Sequence, residues 1–212
     1  MKRLLIIGAG GFGREVLSWA LDIPPAGRDW EVGGFLDANQ DALKGYNCNY
    51  AILADPSTYT PLENDRFVCA LGHPQTKLRI CEALQQKGAH FIELIHPSAI
   101  IGRNVSAGAG CVFCPGAILT SDITIGNFVT INALATIGHD ATVGDGCTLS
   151  GHVDVTGFAN LGKGVFLGSH ATILPGAEVG DYAVVGAGSV VLKKVKAGAT
   201  VMGVPAKQIA GF

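Results

Sequence analysis

Residues 101–143, IGRNVSAGAGCVFCPGAILTSDITIGNFVTINALATIGHDATV, decide the fold once they are read in steps of six. From Ile101 the series runs Ala107, Phe113, Leu119, Ile125, Ile131, Ile137 and Val143, and it holds its phase as far as Val191. Fifteen of these sixteen positions are Ile, Leu, Val or Phe, types that supply 62 of 212 residues and would fill fewer than five by chance. The residue four places further on is mostly small, as in Cys111, Ala117, Ala135, Ala141 and Cys147. Glycine directly follows the aliphatic position in nine hexads, where a corner must relieve backbone crowding. A period of six specifies a parallel β-helix. Three hexads make one triangular turn, so each face recurs at every third hexad and Ile101 to Val191 makes five coils. A β-sandwich would show a period of two and irregular turn spacing instead.

Composition supports this reading. Glycine contributes 30 of 212 residues, about twice its usual share, while only 15% of residues are charged. A hydrophobic fraction of 48% and a mean hydropathy of +0.36 exclude intrinsic disorder. Fifteen basic against 17 acidic residues give a net charge of −2 with no basic run, which argues against nucleic acid as a partner. The six cysteines lack zinc-finger spacing and read as free thiols of a reducing cytoplasm, with no metal expected. The opening MKRLLIIGAGGFGRE imitates a signal peptide, but its glycines and the following Arg14 and Glu15 suit a strand and turn better. The longest uncharged stretch, Asn104 to Ser121, has the Gly, Pro, Ser and Asn content of coils rather than of a membrane span.

The first half has a different rhythm. It reads as a small α/β, Rossmann-like domain over residues 1–95: strand KRLLIIG, helix 12–21, strand 30–36, strand RFVCALG, helix 75–87 and strand HFIELI. Residues 46–61 form a connection with one short strand. His96-Pro97-Ser98 marks the boundary, because proline imposes an extended entry, and the coils with a C-terminal cap occupy residues 96–212.

Gly8-Ala9-Gly10-Gly11-Phe12-Gly13 fits G-x-G-x-x-G between a strand and a helix, with Asp37 at the end of the next strand. Such a loop brings phosphate close to backbone N–H groups, and the carboxylate reaches a sugar hydroxyl or base; a tight turn used only for packing is the lesser alternative. Four strands are too few for a complete dinucleotide domain, which favours one nucleotide over NAD. By the hexad count His139 stands on an outer corner beside Asp140, either a general base with its orienting acid or a solvated polar corner. His152 and His170, three hexads apart, stack on the same outer face in successive coils without enough companions for a metal site. His73, His90 and His96 lie at element ends and read as structural or solvent-exposed. Lys193, Lys194, Lys196 and Lys207 form a small basic cluster in the capping segment.

GAGGFG with GFLDAN, IHPSAIIG at the junction, NALATIGHD in the coils and GVPAK near the end together resemble the left-handed β-helix acyltransferases built from hexapeptide repeats. Within these, the sequence is similar to the sialic acid O-acyltransferase-like subfamily, which includes N-acetyltransferases of nucleotide-linked 4-amino sugars. The resemblance implies a cytoplasmic homotrimer with acetyl-CoA lying between neighbouring prisms. A nucleotide-linked amino sugar destined for bacterial-type surface glycans would be held by the first domain. It makes His139 the general base and Asp140 its orienting acid. Gly10, Gly11, Phe12, Asp37, Gly72 and Asn132 become acceptor-binding positions, and Thr148, Gly157, Ser169 and Ala187 acetyl-CoA positions. The sequence departs from the pattern twice: Thr148 stands where some members carry a second histidine, and Phe12 where some relatives carry a histidine. The activity implied is direct acetyl transfer to a sugar amine. O-acetylation of a sialic acid-type hydroxyl and a non-catalytic nucleotide-sugar scaffold are the alternatives.

Overall fold

The computed structural model describes residues 1–209, so the last three residues of the cap expected over 96–212 lie outside the described residues. The first domain contains β1 (Lys2–Ile7), α1 (Gly11–Asp22), β2 (Trp30–Leu36), β3 (Ile52–Ala54), β4 (Asp65–Cys69) and α2 (Pro74–Gln86). All four strands are parallel in the order β3-β2-β1-β4. β1 is central and Leu4 to Ile7 are fully buried, because a helix covers each face of the sheet. Leu4 and Ile6 pack with Val16, Leu17 and Ala20 of α1, while Leu5 and Ile7 pack with Leu78, Cys81 and Leu84 of α2.

Residues 94–202 wind into a parallel β-helix of three sheets. The first face runs from Leu94–Ile95 to Thr200–Met202, the second from Ile100–Ile101 to Val190–Val191, and the third from Ser106–Ala107 to Lys194–Val195. Strand partners stand three hexads apart, as in Thr130 with Thr148. The aliphatic member of each hexad points to the axis, where Leu119, Ile131, Ile137, Leu149, Val155 and Leu161 are buried with the small residues of the second register.

The coils extend beyond the stretch expected from sequence at both ends. The strand expected at 90–95 does not form: Phe91 makes one bridge to Phe67, and Leu94–Ile95 pairs with Val112–Phe113 as the first rung of the coil. The reason lies in the phase, since Ile95 precedes Ile101 by six and Ala99 takes the small position. At the other end the next strand after Val190–Val191 is Lys194–Val195, which shortens the last turn by two residues. Lys207–Gln208 then folds back antiparallel onto Thr200–Met202 and covers the end of the first face.

Corner chemistry separates into two kinds. Gly102 is required by close stacking, because a Cβ there would stand 1.5 Å from the Thr120 carbonyl oxygen of the next coil. The left-handed residue comes two places later, and Asn104, Leu134, Asp140, His152, Phe158 and His170 all adopt φ near +60° there. The coil imposes this conformation at corner after corner.

The first domain sits on the upper rungs of the first face. Leu94, Val112 and Cys114 join the α1-side core, and Phe128 joins the α2-side core, where its ring meets Phe91 at 4.9 Å. Among the described residues, no helix is long and apolar enough to cross a membrane.

Candidate active site

His139 and Asp140 occupy the corner between the second and third faces, just after strand Thr136–Ile137. Because Asp140 takes the left-handed corner conformation, its carboxylate turns back to the preceding ring, and Oδ2 lies 2.7 Å from His139 Nδ1. A proton on Nδ1 donated to this carboxylate leaves Nε2 as an unprotonated acceptor. The His139 side chain is 56% exposed, so Nε2 is open to an incoming group. One coil on, Phe158 sets its ring perpendicular to the imidazole at 5.1 Å and is itself 61% exposed. Gly157 lies under the ring, where a Cβ would come within 2.8 Å of Cε1 and Nε2. The corner is therefore an accessible base on a glycine floor beside an apolar wall. Phe158 was legible in principle, since it stands three hexads after Asp140.

The other coil positions divide between edges. Asn132, Ser169 and Ala187 lie at the corners between the first and second faces, one edge away from His139. The Asn132 side-chain oxygen accepts from the Ala133 amide at 2.7 Å. His152 and His170 stack on this same edge with ring centroids 4.6 Å apart and planes 6° from parallel. Among the described residues, no group of three or more His, Cys, Asp or Glu side chains is arranged to hold a metal ion. Thr148 lies on neither edge. It is 5% exposed on the first face under α2, where its hydroxyl accepts from Lys77 Nζ at 2.9 Å. In this position its side chain serves the domain contact and offers no open surface to a thioester.

In the first domain the glycine motif separates into structural and open positions. Gly8 has φ +99°, and a Cβ on Gly13 would lie 2.0 Å from the Gly8 carbonyl oxygen, so both satisfy the turn and the packing of α1. Gly10 and Gly11 have nothing within 4 Å of a Cβ position and leave the start of α1 uncovered, as does Gly72 beyond β4. Phe12 packs edge-on against Trp19 at 5.9 Å. Asp37 is occupied on both oxygens, accepting from the Ala9 amide at 2.7 Å and the Asn39 amide at 2.8 Å. It thereby ties the glycine loop to the end of β2. Beside it, at the carboxyl ends of the parallel strands, a cavity of about 400 Å³ is lined by Gly8, Asp37, Asp55, Ser57, Thr76 and Arg79 among others. This is where open α/β sheets take ligands. Asp55, Thr76 and Arg79 carry no motif, and only the fold brings them together.

The cysteines stand apart from this chemistry. Cys111, Cys114 and Cys147 are fully buried. Burial pushes the Cys111 thiol up to about 11 and that of Cys147 up to about 12, and it raises Cys114 further. None supplies a ready thiolate.

The small α/β domain and the coils that carry the exposed His–Asp pair each match a known family model over part of the chain. Residues 3–84 match the PglD N-terminal domain, and residues 158–193 match the bacterial transferase hexapeptide (six repeats). The chain thus joins a PglD-type N-terminal domain to a hexapeptide-repeat β-helix. Among solved structures it is similar to PerB from Caulobacter crescentus in complex with CoA and GDP-perosamine, at 26% identity over 99% of this chain and 98% of that one, with a TM-score of 0.88. WeeI from Acinetobacter baumannii AYE is 27% identical over 99% of this chain and all of that one, with a TM-score of 0.86. The acetyltransferase domain of PglB from Neisseria gonorrhoeae FA1090 is 25% identical over 99% of this chain and all of that one, with a TM-score of 0.87; it is also known in complex with acetyl coenzyme A. No curated protein sequence matches the chain.

Proposed function

We propose that the protein is an acetyl-CoA-dependent N-acetyltransferase acting on the amine of a nucleotide-linked amino sugar. The observation that carries the reading is the His139–Asp140 pair, with Nδ1 engaged at 2.7 Å and Nε2 open above Gly157. The sugar amine attacks the thioester carbonyl, a C–N bond forms and the C–S bond breaks. His139 Nε2 takes the proton released by the amine, and the CoA thiolate leaves. Asp140 holds the tautomer that leaves Nε2 free to accept the proton. With the relevant thiols buried, transfer is direct and passes through no acyl-cysteine.

The active assembly in this reading is a homotrimer. In one chain His139 and Gly157 lie on one edge of the prism, while Asn132, Ser169 and Ala187 lie on another. A groove between two prisms would let one copy supply the base and the next supply Ser169 and Ala187 to acetyl-CoA. Exposed Ile100, Ile118, Leu134 and Phe158 on and around the second face suit burial against a second copy. Gly10, Gly11 and Gly72, with the adjacent cavity, hold the nucleotide, and Asp37 acts by shaping the glycine loop. That PerB was solved with CoA and GDP-perosamine supports both ligand classes. The test is acetyl transfer from acetyl-CoA, read by mass spectrometry, across nucleotide-linked amino sugars and sialic acid. Acetylation confined to a sugar amine is the expected result. Acetylation of sialic acid alone would replace the acceptor assignment, and CoA binding without transfer to any acceptor would replace the enzymatic one.

A further inference from the structure

Among the described residues Lys77 is the one lysine buried completely, and the reaction described above makes no use of it. It projects from α2 into the first face of the coil. Its ammonium donates to Thr130 Oγ1 at 3.0 Å, the Cys147 carbonyl oxygen at 3.0 Å and Thr148 Oγ1 at 2.9 Å. An ammonium carries three N–H donors, and here all three are satisfied. Every acceptor is neutral and every one belongs to the coil. No carboxylate is among these partners, so burial draws the ammonium below its ordinary range.

We propose that Lys77 is a positioning residue for acetyl transfer: its ammonium locks α2, with the nucleotide cavity that α2 helps to line, at one height on the coil. The proposal rests on the functional reading given above. α2 carries Thr76, Arg79 and Ile80 into that cavity, on either side of Lys77. Thr130 and Thr148 are paired on adjacent rungs, and the strand of Thr130 leads through Ile131 to Asn132 on the acceptor edge. One side chain therefore couples the nucleotide-binding helix to the rungs beside the acceptor position.

The physical case rests on directionality. The residues facing outward on this face include Val112, Thr130, Thr148, Phe166 and Val184, of which Thr130 and Thr148 alone set two hydroxyls on adjacent rungs. A shift by one rung, about 4.8 Å, would exchange one of the two hydroxyl acceptors for the side chain of Val112 or Phe166 and leave part of the ammonium unpaired, and it would also move Leu78 off Gly146. Stability alone does not require such a lysine, because buried charges are often replaced by apolar residues without loss. With Lys77→Met, the Thr130 and Thr148 hydroxyls stand on paired positions and can bond each other across the strands. The Cys147 carbonyl keeps the Thr130 amide at 2.9 Å.

The test uses the full chain and measures five quantities in Lys77→Met: Tm, CoA affinity, nucleoside diphosphate affinity, kcat at saturating substrates and hydrogen exchange in α2. The expected result is unchanged affinity for both ligands, little change in Tm, and kcat lowered about 10- to 100-fold, the scale of an ångström-level misplacement. Hydrogen exchange in α2 should quicken while the coil is unaffected. Wild-type kcat in Lys77→Met, or a fall in Tm with kcat per folded molecule unchanged, overturns the proposal. Should Lys77→Met not fold, Thr130→Val and Thr130→Ser decide: valine should lower kcat and serine should retain it, and equal kcat overturns the proposal. If the wild-type protein acetylates no nucleotide sugar, the functional reading itself fails. Lys77 is then judged by exchange alone, where unchanged protection of α2 in Lys77→Met removes the latch.

Discussion

Two corners of the molecule hold a histidine beside an aspartate, and they differ in what the imidazole has left to offer. At the coil entrance His96 places Nε2 3.4 Å from Asp22, the last residue of α1, and its Nδ1 lies 2.7 Å from Ser98 Oγ and 3.1 Å from the Ser98 amide. The side chain is 14% exposed. Both ring nitrogens are engaged, so His96 ties the first domain to the coil. At the lower corner His139 is 56% exposed, only Nδ1 is engaged, and the partner is its own chain neighbour. Pairing with a carboxylate is common to both. What suits His139 to accept a proton is a free nitrogen facing open space.

The most damaging change should therefore be His139→Asn, with a fall in kcat of about 10²–10⁴-fold, the usual contribution of a general base. The outward ring adds little to axial packing, so CoA binding and Tm should stay near wild type. Near-wild-type turnover at neutral pH, with chemistry rate-limiting, would leave the comparison without its main support. Gly157→Ala follows. The new methyl would stand 2.8 Å from Cε1 and Nε2, and the exposed ring is the group free to yield. A displacement approaching an ångström should cost about tenfold in kcat, with His139 visibly rotated in a crystal structure. An unmoved ring with full activity would mean that the glycine floor is irrelevant to the base. Asp140→Asn should cost less again, about fivefold, because an exposed pair is worth at most about 1 kcal/mol and water substitutes for the lost carboxylate. Asparagine tolerates the left-handed corner that Asp140 occupies at φ +59°, so the backbone should not change. A loss as large as that of His139→Asn would show that the tautomer depends wholly on Asp140.

The unequal legibility of the molecule follows from the range of its interactions. The coil is local: each hexad repeats the same inward residue, so the phase was readable along the chain, as was the corner that holds His139 and Asp140. Its ends were harder, because Ile95 obeys the sixfold phase but lies in a run, HFIELI, that reads equally well as a strand of the first domain. G-x-G-x-x-G did not distinguish the packing glycines Gly8 and Gly13 from the open Gly10 and Gly11, since the motif records spacing and not surroundings. Asp37 lines the cavity beside the glycine loop, and the two backbone amides that its oxygens also accept from leave no mark in the motif. Lys77 left no local trace, because its partners lie 53 to 71 residues away and no charged residue marks them. Asn132 and Ser169 illustrate a different limit: within one chain they lie on another prism edge than His139, and only the proposed assembly would bring them together.

The smallest expected effect belongs to His96→Asn, and it is the most informative control on the two corners. Asparagine loses the reach to Asp22 but keeps a polar side chain that can satisfy the Ser98 amide, as short polar residues do at chain turns. The Asp22 contact is long and its carboxylate is 56% exposed, so losing it should cost no more than about 1 kcal/mol, a few degrees in Tm. Turnover at saturating substrates should remain within about twofold of wild type, because general-base catalysis requires the proton acceptor to reach the reacting group and neither nitrogen of His96 is free to do so. Measured beside His139→Asn, it asks whether a His–Asp pair or an accessible nitrogen matters. A large fall in kcat for His96→Asn with Tm and ligand affinities unchanged would assign His96 a part in the chemistry and would break the distinction. A fall in Tm alone would place it where its two engaged nitrogens do, at the joint between α1 and the first coil.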